Sequence, residues 1–239
     1  MRFSFVVLLL LALGLSTIAA EKAKKTDDSS LIPKKTDDSW MQEYYQHPQP
    51  ERFEAEVKKL QASGALRNEG GMAPVAAFFS RLFQSAPPAQ LAQWLKLIKA
   101  LPDADQQVFL VALRWGGTRE TQDALRAIAS GKGKAATYAG KLLDSNAPVL
   151  DKLSNPTPEE LDLCWGAFFA TGSPEYALSV IRCATKPTKD REFDLSQEAA
   201  RWSLKSLCNT HKKLRDIKDS FYKTALPEER KSLDKLFKK

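Results

Sequence analysis

The spacing of the apolar residues constrains the fold of this 239-residue chain more than any other feature. From Trp40 onward, apolar residues recur three and four positions apart in blocks of about 12 to 18 residues, which is the spacing of one helix face. Proline and glycine separate the blocks, as at residues 86–88 and 116–117. No stretch bounded by hairpin turns alternates strictly between apolar and polar residues, as a half-buried strand would. The sequence therefore predicts an all-α chain.

One segment shows how these helices are expected to pack. In LDLCWGAFFATGSPEYALSV, residues 161–180, a helix starting near Pro158 would carry Thr157 as its cap and a broad apolar stripe ending at Phe169. Gly172 and Pro174 then end that helix and start another with its own apolar stripe. A pair of packed antiparallel helices explains every apolar residue of the segment, and a ligand pocket is the alternative.

A second segment, ALRWGGTRETQDALRAIA at 112–129, has the same order of apolar helix, glycine turn, acidic residue and Ala-Leu. Two similar hairpins indicate repetition. We therefore predict antiparallel helical hairpins stacked as a short irregular α-solenoid or bundle.

The spacing of Phe168, Gly172, Ala177 and Ala184 resembles the tetratricopeptide repeat, which has an aromatic, a turn glycine and two small residues in those relative places. Trp165 departs from that pattern, and a regular period of about 34 residues is absent. The resemblance implies a groove that binds proteins or peptides. The run LDLCWGAFFATGSPEY also resembles an uncharacterised group of exported bacterial helical proteins, over residues 40 to 210, and this likeness implies no activity.

The N-terminus has the composition of an export signal. Arg2, an apolar run and the small residues before Glu21 predict a signal peptide over residues 1–20, with an uncleaved membrane anchor as the alternative. Residues 21–39 contain KKTDDS twice and little to bury, so we expect a disordered tether. Residues 40–239 are then one helical domain with a basic end at 201–239, in a periplasmic or secreted protein.

The cysteines and histidines give little sign of chemistry. Cys164, Cys183 and Cys208 are expected to be small buried residues, with one disulfide bridge as the alternative. His47 and His211 have no partner at metal-ligand spacing, and SGKGK at 130–134 lacks the full phosphate-loop pattern, so we predict no metal site and no cofactor.

We predict that the protein is not an enzyme. The alternative is a hydrolase that uses a carboxylate pair. The adjacent acids Glu159–Glu160 and Glu228–Glu229 are more simply explained as helix-start residues, because carboxylates are favourable at the positive end of the helix dipole.

The net charge is concentrated at the C-terminus. Residues 201–239 contain twelve Lys or Arg and five Asp or Glu, so twelve minus five gives +7, which equals the net charge of the whole chain. This basic end could be a closing helix pair with a solvated outer face, an anionic-membrane contact or a nucleic-acid contact. Nucleic acid is least expected, because no aromatic-interleaved basic motif is present.

These features predict an exported, non-enzymatic helical scaffold that mediates protein–protein interaction in the cell envelope or outside the cell. The alternative is a secreted or membrane-peripheral factor that binds a polyanion, such as an anionic membrane surface, through its basic C-terminal helices. The residues predicted to contact a partner are Tyr44, Tyr45, Lys212, Lys213, Arg215 and Lys218.

Overall fold

A computed structural model describes residues 40–68, 71–148, 153, 156–187 and 194–238. The predicted signal peptide and tether lie outside these residues. Twelve α-helices and no strand occur in the described part, so the all-α prediction is confirmed. The helices are α1 (Trp40–Glu43), α2 (Phe53–Ala62), α3 (Met72–Ser85), α4 (Pro88–Lys99), α5 (Asp103–Gly116), α6 (Arg119–Ala129), α7 (Lys134–Leu143), α8 (Pro158–Thr171), α9 (Pro174–Thr185), α10 (Leu195–Thr210), α11 (Lys212–Thr224) and α12 (Pro227–Phe237).

Helix α3 lies at the centre of the molecule. Every residue from Pro74 to Phe83 is buried, because α8 packs on α3 and α5 also covers it. Helix α8 is buried in the same way from Leu161 to Phe169. A helix that is apolar on all sides belongs in the interior of a protein, and these two form the central layer.

The backbones of α3 and α8 approach unusually closely at Gly166. A Cβ atom on this glycine would fall on the carbonyl oxygen of Pro74, 2.9 Å from its carbonyl carbon and 3.1 Å from the Cβ of Ala77. Only a residue without a side chain leaves room for the Pro74 carbonyl. Gly166 therefore sets the distance between the two central helices.

Aromatic side chains fill the space between α3 and the helices α2, α4 and α5. The ring of Phe53 stacks on Trp94 with centroids 4.5 Å apart, and Phe79 lies 4.9 Å from Phe109. These residues come from the apolar positions three and four apart in the sequence. Rings at these distances are attracted to each other beyond the area that they bury.

Both predicted hairpins are present. Thr157 and Glu160 form a reciprocal capping box at the start of α8, and Gly172 ends that helix at a φ of 63°. Gly117 ends α5 at a φ of 70°, and Thr118 caps α6. Glycine is favoured at both ends because a left-handed backbone is strained for residues with a Cβ. The likeness to tetratricopeptide repeats stays a prediction.

The C-terminal helices pack around α9, which contacts α8, α10, α11 and α12. His211 alone separates α10 from α11, and Ala225 and Leu226 separate α11 from α12. The hydrophobic core of the described residues is one cluster that runs from Trp40 to Leu233. The assignment of residues 40–239 to one domain behind a tether stays a prediction.

A buried carboxylate joins the N-terminal helices. Asp105, in the first turn of α5, is fully buried and accepts hydrogen bonds from Arg67 and Gln61, with the Arg67 Nη2–Oδ2 and Gln61 Nε2–Oδ2 distances 2.9 and 2.8 Å. The bonds from Arg67 lower the pKa of Asp105, outweighing the opposing effect of burial. The carboxylate thus ties α5 to the segment that follows α2.

All three cysteines are free and buried. Burial raises the pKa of the Cys164 thiol to about 12 and that of Cys208 to about 11, and it also raises the pKa of Cys183. A thiol that stays protonated is a poor nucleophile, and these residues act as small core side chains. The sequence-based prediction of buried cysteines agrees with this arrangement.

Among the described helices, none is long and apolar enough to cross a membrane.

Candidate interaction surface

The two tyrosines predicted to contact a partner pack against the fold. The ring of Tyr44 lies edge-on to Trp40 and Phe78, with centroids 5.1 and 5.6 Å away. Burial and then the nearby charge of Glu51 raise the pKa of Tyr44. Tyr44 is half-buried, so at most part of its ring is open to a partner.

Tyr45 holds the turn after α8 against the start of α11. Its backbone N–H donates to the carbonyl of Phe169 at 3.0 Å, and its hydroxyl lies 3.1 Å from Nδ1 of His211, a hydrogen bond. The ammonium of Lys213 lies 5.6 Å from the centre of the Tyr45 ring. Burial raises the pKa of Tyr45 to about 12. A Cβ on Gly172 would lie 2.8 Å from this ring, so the glycine makes room for Tyr45.

His211 is the residue in this region that sequence reasoning missed. It lies beside two lysines in the sequence, yet it is 3% exposed, and its ring lies 5.2 Å from that of Phe169. A signal was available, because Leu204, Leu207, Cys208, His211 and Leu214 are spaced three and four apart, which places His211 on the apolar face.

One of the two ring nitrogens of His211 lacks a hydrogen-bond partner. Within the described residues its Nε2 atom is buried without a hydrogen-bond partner. Burial lowers the pKa of His211 and outweighs the attraction of Glu43, while Arg215 lowers the pKa further. Desolvation disfavours the charged imidazole, and a protonated ring would carry an N–H at the buried Nε2 that has no acceptor.

We therefore expect acid to destabilise the protein through His211. The folded pKa lies below the unfolded value near 6.5, so the unfolded chain binds more protons and stability falls as pH drops below about 6.5 toward the folded pKa. Because a single group titrates, its contribution to the free energy of unfolding changes by at most about 1.4 kcal/mol per pH unit. Urea unfolding at pH 7, 6 and 5 measures this slope.

His211→Gln keeps a hydrogen-bonding side chain without the titration, so its slope should be shallower than that of the original protein over this range. His47→Gln is the matched control, because His47 is exposed in the loop after α1. Equal slopes for the original protein and His211→Gln would contradict the prediction.

The four predicted basic contacts also have partners within the chain. Lys212 pairs with Asp216 at 2.7 Å, and Lys213 lies over Tyr45. The guanidinium of Arg215 donates to the carbonyls of Cys208 and Asn209, at the end of α10. Lys218 pairs with Asp219 at 2.9 Å and lies 4.6 Å from the centre of the Phe237 ring. Lys213 therefore lies against Tyr45, Arg215 joins α11 to α10, and Lys218 joins α11 to α12. The Lys212 pair lies within α11.

The residues predicted to contact a partner do not include a set of exposed apolar side chains. In the described part of the chain, the large exposed hydrophobic side chains all lie between residues 195 and 226: Leu195, Trp202, Tyr222 and Leu226. Three of them, Trp202, Tyr222 and Leu226, lie within residues 201–239, which carry the excess positive charge. Isolated exposed apolar residues are ordinary, but their concentration in one region of a protein indicates a contact surface.

A shallow groove with a volume of about 280 Å³ lies between α11 and α12. Lys218 and Asp219 line it from α11, and Asp234 and Phe237 line it from α12. The hydroxyl of Tyr222 donates to Asp234 at 3.1 Å. With Lys238, two ammonium groups and two carboxylates line this groove, so it offers no strong preference for ligands of one charge.

The acidic pairs considered for hydrolysis have structural contacts. Glu160 accepts the backbone N–H of Thr157 at 2.8 Å, and Glu229 accepts that of Leu226 at the same distance. One acid of each pair therefore caps a helix. No group of three or more His, Cys, Asp or Glu residues that could hold a metal ion occurs in the described ranges.

Comparisons with protein-family models, with curated proteins and with solved structures each found no match to this chain.

Proposed function

We propose that this protein is an exported, non-enzymatic helical scaffold that binds a protein partner through the outer face of α10. One observation supports this proposal most strongly. Leu195 and Trp202 are 58% and 48% exposed and stand seven residues apart, two turns along the same side of the helix. The opposite side of α10 carries Ala200, Leu204 and Cys208 in the core.

An exposed tryptophan on a rigid helix suits protein binding. Tryptophan supplies a large contact area with one hydrogen-bond donor, and it is enriched among the residues that contribute most to interface affinity. Helix α10 is held in place on one side by α9 and at its end by Arg215. The side chain of Trp202 is therefore presented by a fixed element, which limits the entropy lost on binding.

Affinity capture from the envelope and secreted fractions of the source cells tests this proposal. A specific protein captured by the original chain should be lost when Leu195→Ser and Trp202→Ala are combined. Leu226→Ser is the matched control, because it removes an equally exposed leucine outside α10. Circular dichroism confirms that each variant is folded. Capture of the same partner by the double variant would exclude the α10 face.

The second candidate function is polyanion binding by the C-terminal helices, and one observation favours it. In the described residues, Lys231, Lys235 and Lys238 form no ion pair and are exposed. Binding that weakens as salt is added would distinguish this function from an apolar protein contact, since salt screens exposed charges.

A further inference from the structure

Helix α12 carries a stripe of uncompensated positive charge. Lys231 and Lys235 stand four residues apart, the spacing that places side chains on one side of a helix, and the exposed Lys238 follows directly after the end of α12. Arg230 is exposed beside them, and Glu228 is the exposed acid of this helix. The remaining acids of α12, Glu229 and Asp234, bond to the Leu226 N–H and the Tyr222 hydroxyl. The outer side of α12 therefore has a clear positive excess.

The outer side of α11 differs. Lys212, Lys213 and Lys223 are its exposed cations, and Asp216 and Asp219 are its exposed acids. The Lys212–Asp216 pair closes at 2.7 Å. Three cations less two carboxylates leave +1 on the exposed part of α11, where Lys213 also lies over the Tyr45 ring, and three cations less Glu228 leave +2 on α12. The positive charge is therefore directed outward more by α12 than by α11.

A leucine stands at the corner where α11 turns into α12. Leu226 is 66% exposed, and its backbone N–H is held by the carboxylate of Glu229. The guanidinium of Arg230 donates to the carbonyls of Ala225 and Lys223, at 2.9 and 3.3 Å. The leucine is therefore presented on a fixed corner with Lys223 and Arg230 beside it.

The combination of an exposed leucine and unpaired lysines indicates which kind of polyanion this surface fits. A soluble polyanion would pair with the lysines and leave Leu226 in water, whereas a bilayer offers anionic headgroups to the lysines and an apolar layer to the leucine. Single-stranded nucleic acid would favour an aromatic face on which bases stack, whereas the residue exposed at this corner is an aliphatic leucine. These groups fit a bilayer better than a nucleic acid.

We infer that the outer side of α12 and the Leu226 corner bind the surface of a bilayer that contains anionic phospholipids, an inference that rests on the second candidate function above. The protein would lie on the membrane through this surface, with the lysines at the headgroups and Leu226 inserted just below them. Binding should weaken as salt is raised, and part of it should survive because the leucine contact is not electrostatic.

Sedimentation with vesicles tests this inference. Vesicles of equal parts phosphatidylglycerol and phosphatidylcholine should bind the protein, and pure phosphatidylcholine vesicles should bind it far less. Combining Lys231→Glu with Lys235→Glu should lower the partition coefficient on the order of 30-fold, since each lysine near an anionic surface contributes about a factor of five. Leu226→Ser should lower it by about fivefold.

The matched control combines Lys96→Glu with Lys99→Glu. These exposed lysines of α4 give the same change in net charge far along the chain, so binding should stay within about twofold of the original. An equal loss in this control would overturn the inference, because net charge alone would then explain binding.

Binding to heparin, a soluble polyanion, distinguishes general polyanion binding from binding to a bilayer. Retention on heparin that depends on Lys231 and Lys235, without any binding to anionic vesicles, would keep polyanion binding and overturn the bilayer as its target. Failure to bind either probe would overturn both. Vesicle binding that is lost in the α12 variant and weakened by Leu226→Ser would support the membrane surface.

Discussion

Replacing Gly166 with alanine is expected to lower the free energy of unfolding by about 3 kcal/mol or more. The added methyl group would collide with the Pro74 carbonyl, which belongs to the backbone of α3 and has no rotamer through which to yield. The two central helices would have to separate, and the buried side chains of both would lose their packing. Urea unfolding followed by circular dichroism measures the change.

Gly140→Ala is the matched control for this substitution. Gly140 also lies inside a helix, α7, and a Cβ there would meet nothing within 4 Å. Alanine is the better helix former, so this variant should be stabilised by up to about 1 kcal/mol. If both alanine variants were equally stable, the close approach of α3 and α8 would be contradicted.

Asp105→Asn is expected to lower the free energy of unfolding by about 2 kcal/mol at pH 7. The amide keeps the volume of the carboxylate but removes its charge and turns one acceptor into a donor toward Arg67 or Gln61. We place the cost at this level because the Arg67 side chain is half exposed and water partly screens the pair. Asp103→Asn, an exposed change of equal charge in the same turn of α5, should cost only a few tenths of a kcal/mol.

The pH dependence gives a separate check on Asp105. Its folded pKa lies below the unfolded value, so its contribution to stability is present above an unfolded pKa of about 3.9 and is lost as pH falls through the lower folded value. The stability difference between the original protein and Asp105→Asn should therefore shrink with acid. A difference that is constant from pH 7 to pH 3 would contradict the pairing with Arg67.

The local structure was predictable from the sequence because its causes are local. Apolar spacing located the helices, and Thr157, Pro158 and Gly172 marked the ends of α8 through capping and backbone preference. These signals lie within a few residues of the element that they control. The hairpins could be predicted for the same reason.

The contacts between distant segments could not be predicted from such local signals. Helical periodicity shows which side of α11 is apolar, and it says nothing about which element covers that side. Tyr45 meets His211 across 166 residues, and Arg67 meets Asp105 across 38. The predicted contact cations, such as Lys212 and Arg215, were recognised by charge alone, and their internal partners became visible only in three dimensions.

The predicted contact surface differs from the exposed surface of the structure for the same reason. Lysine content pointed to residues 212–218, where carboxylates and backbone carbonyls engage most of the cations, whereas the exposed Lys231 and Lys235 of α12 form no ion pair. Leu195 and Trp202 would fit a buried stripe by their chemistry, but α10 turns its other side to the core. A sequence shows which residues are apolar, and packing decides which of them remain exposed.

The pairing of α3 with α8 also sets an order of events during synthesis. Residues 72–85 leave the ribosome long before residues 158–171, and at about 5 to 20 residues per second the delay is on the order of ten seconds. Helices α5 to α7 can meet their sequence neighbours within that time, because short loops close quickly. The side of α3 that α8 will cover, which includes Ala77, stays exposed until α8 has been synthesised. A nascent chain of this protein therefore presents an open apolar strip to the chaperones around it until its second half arrives.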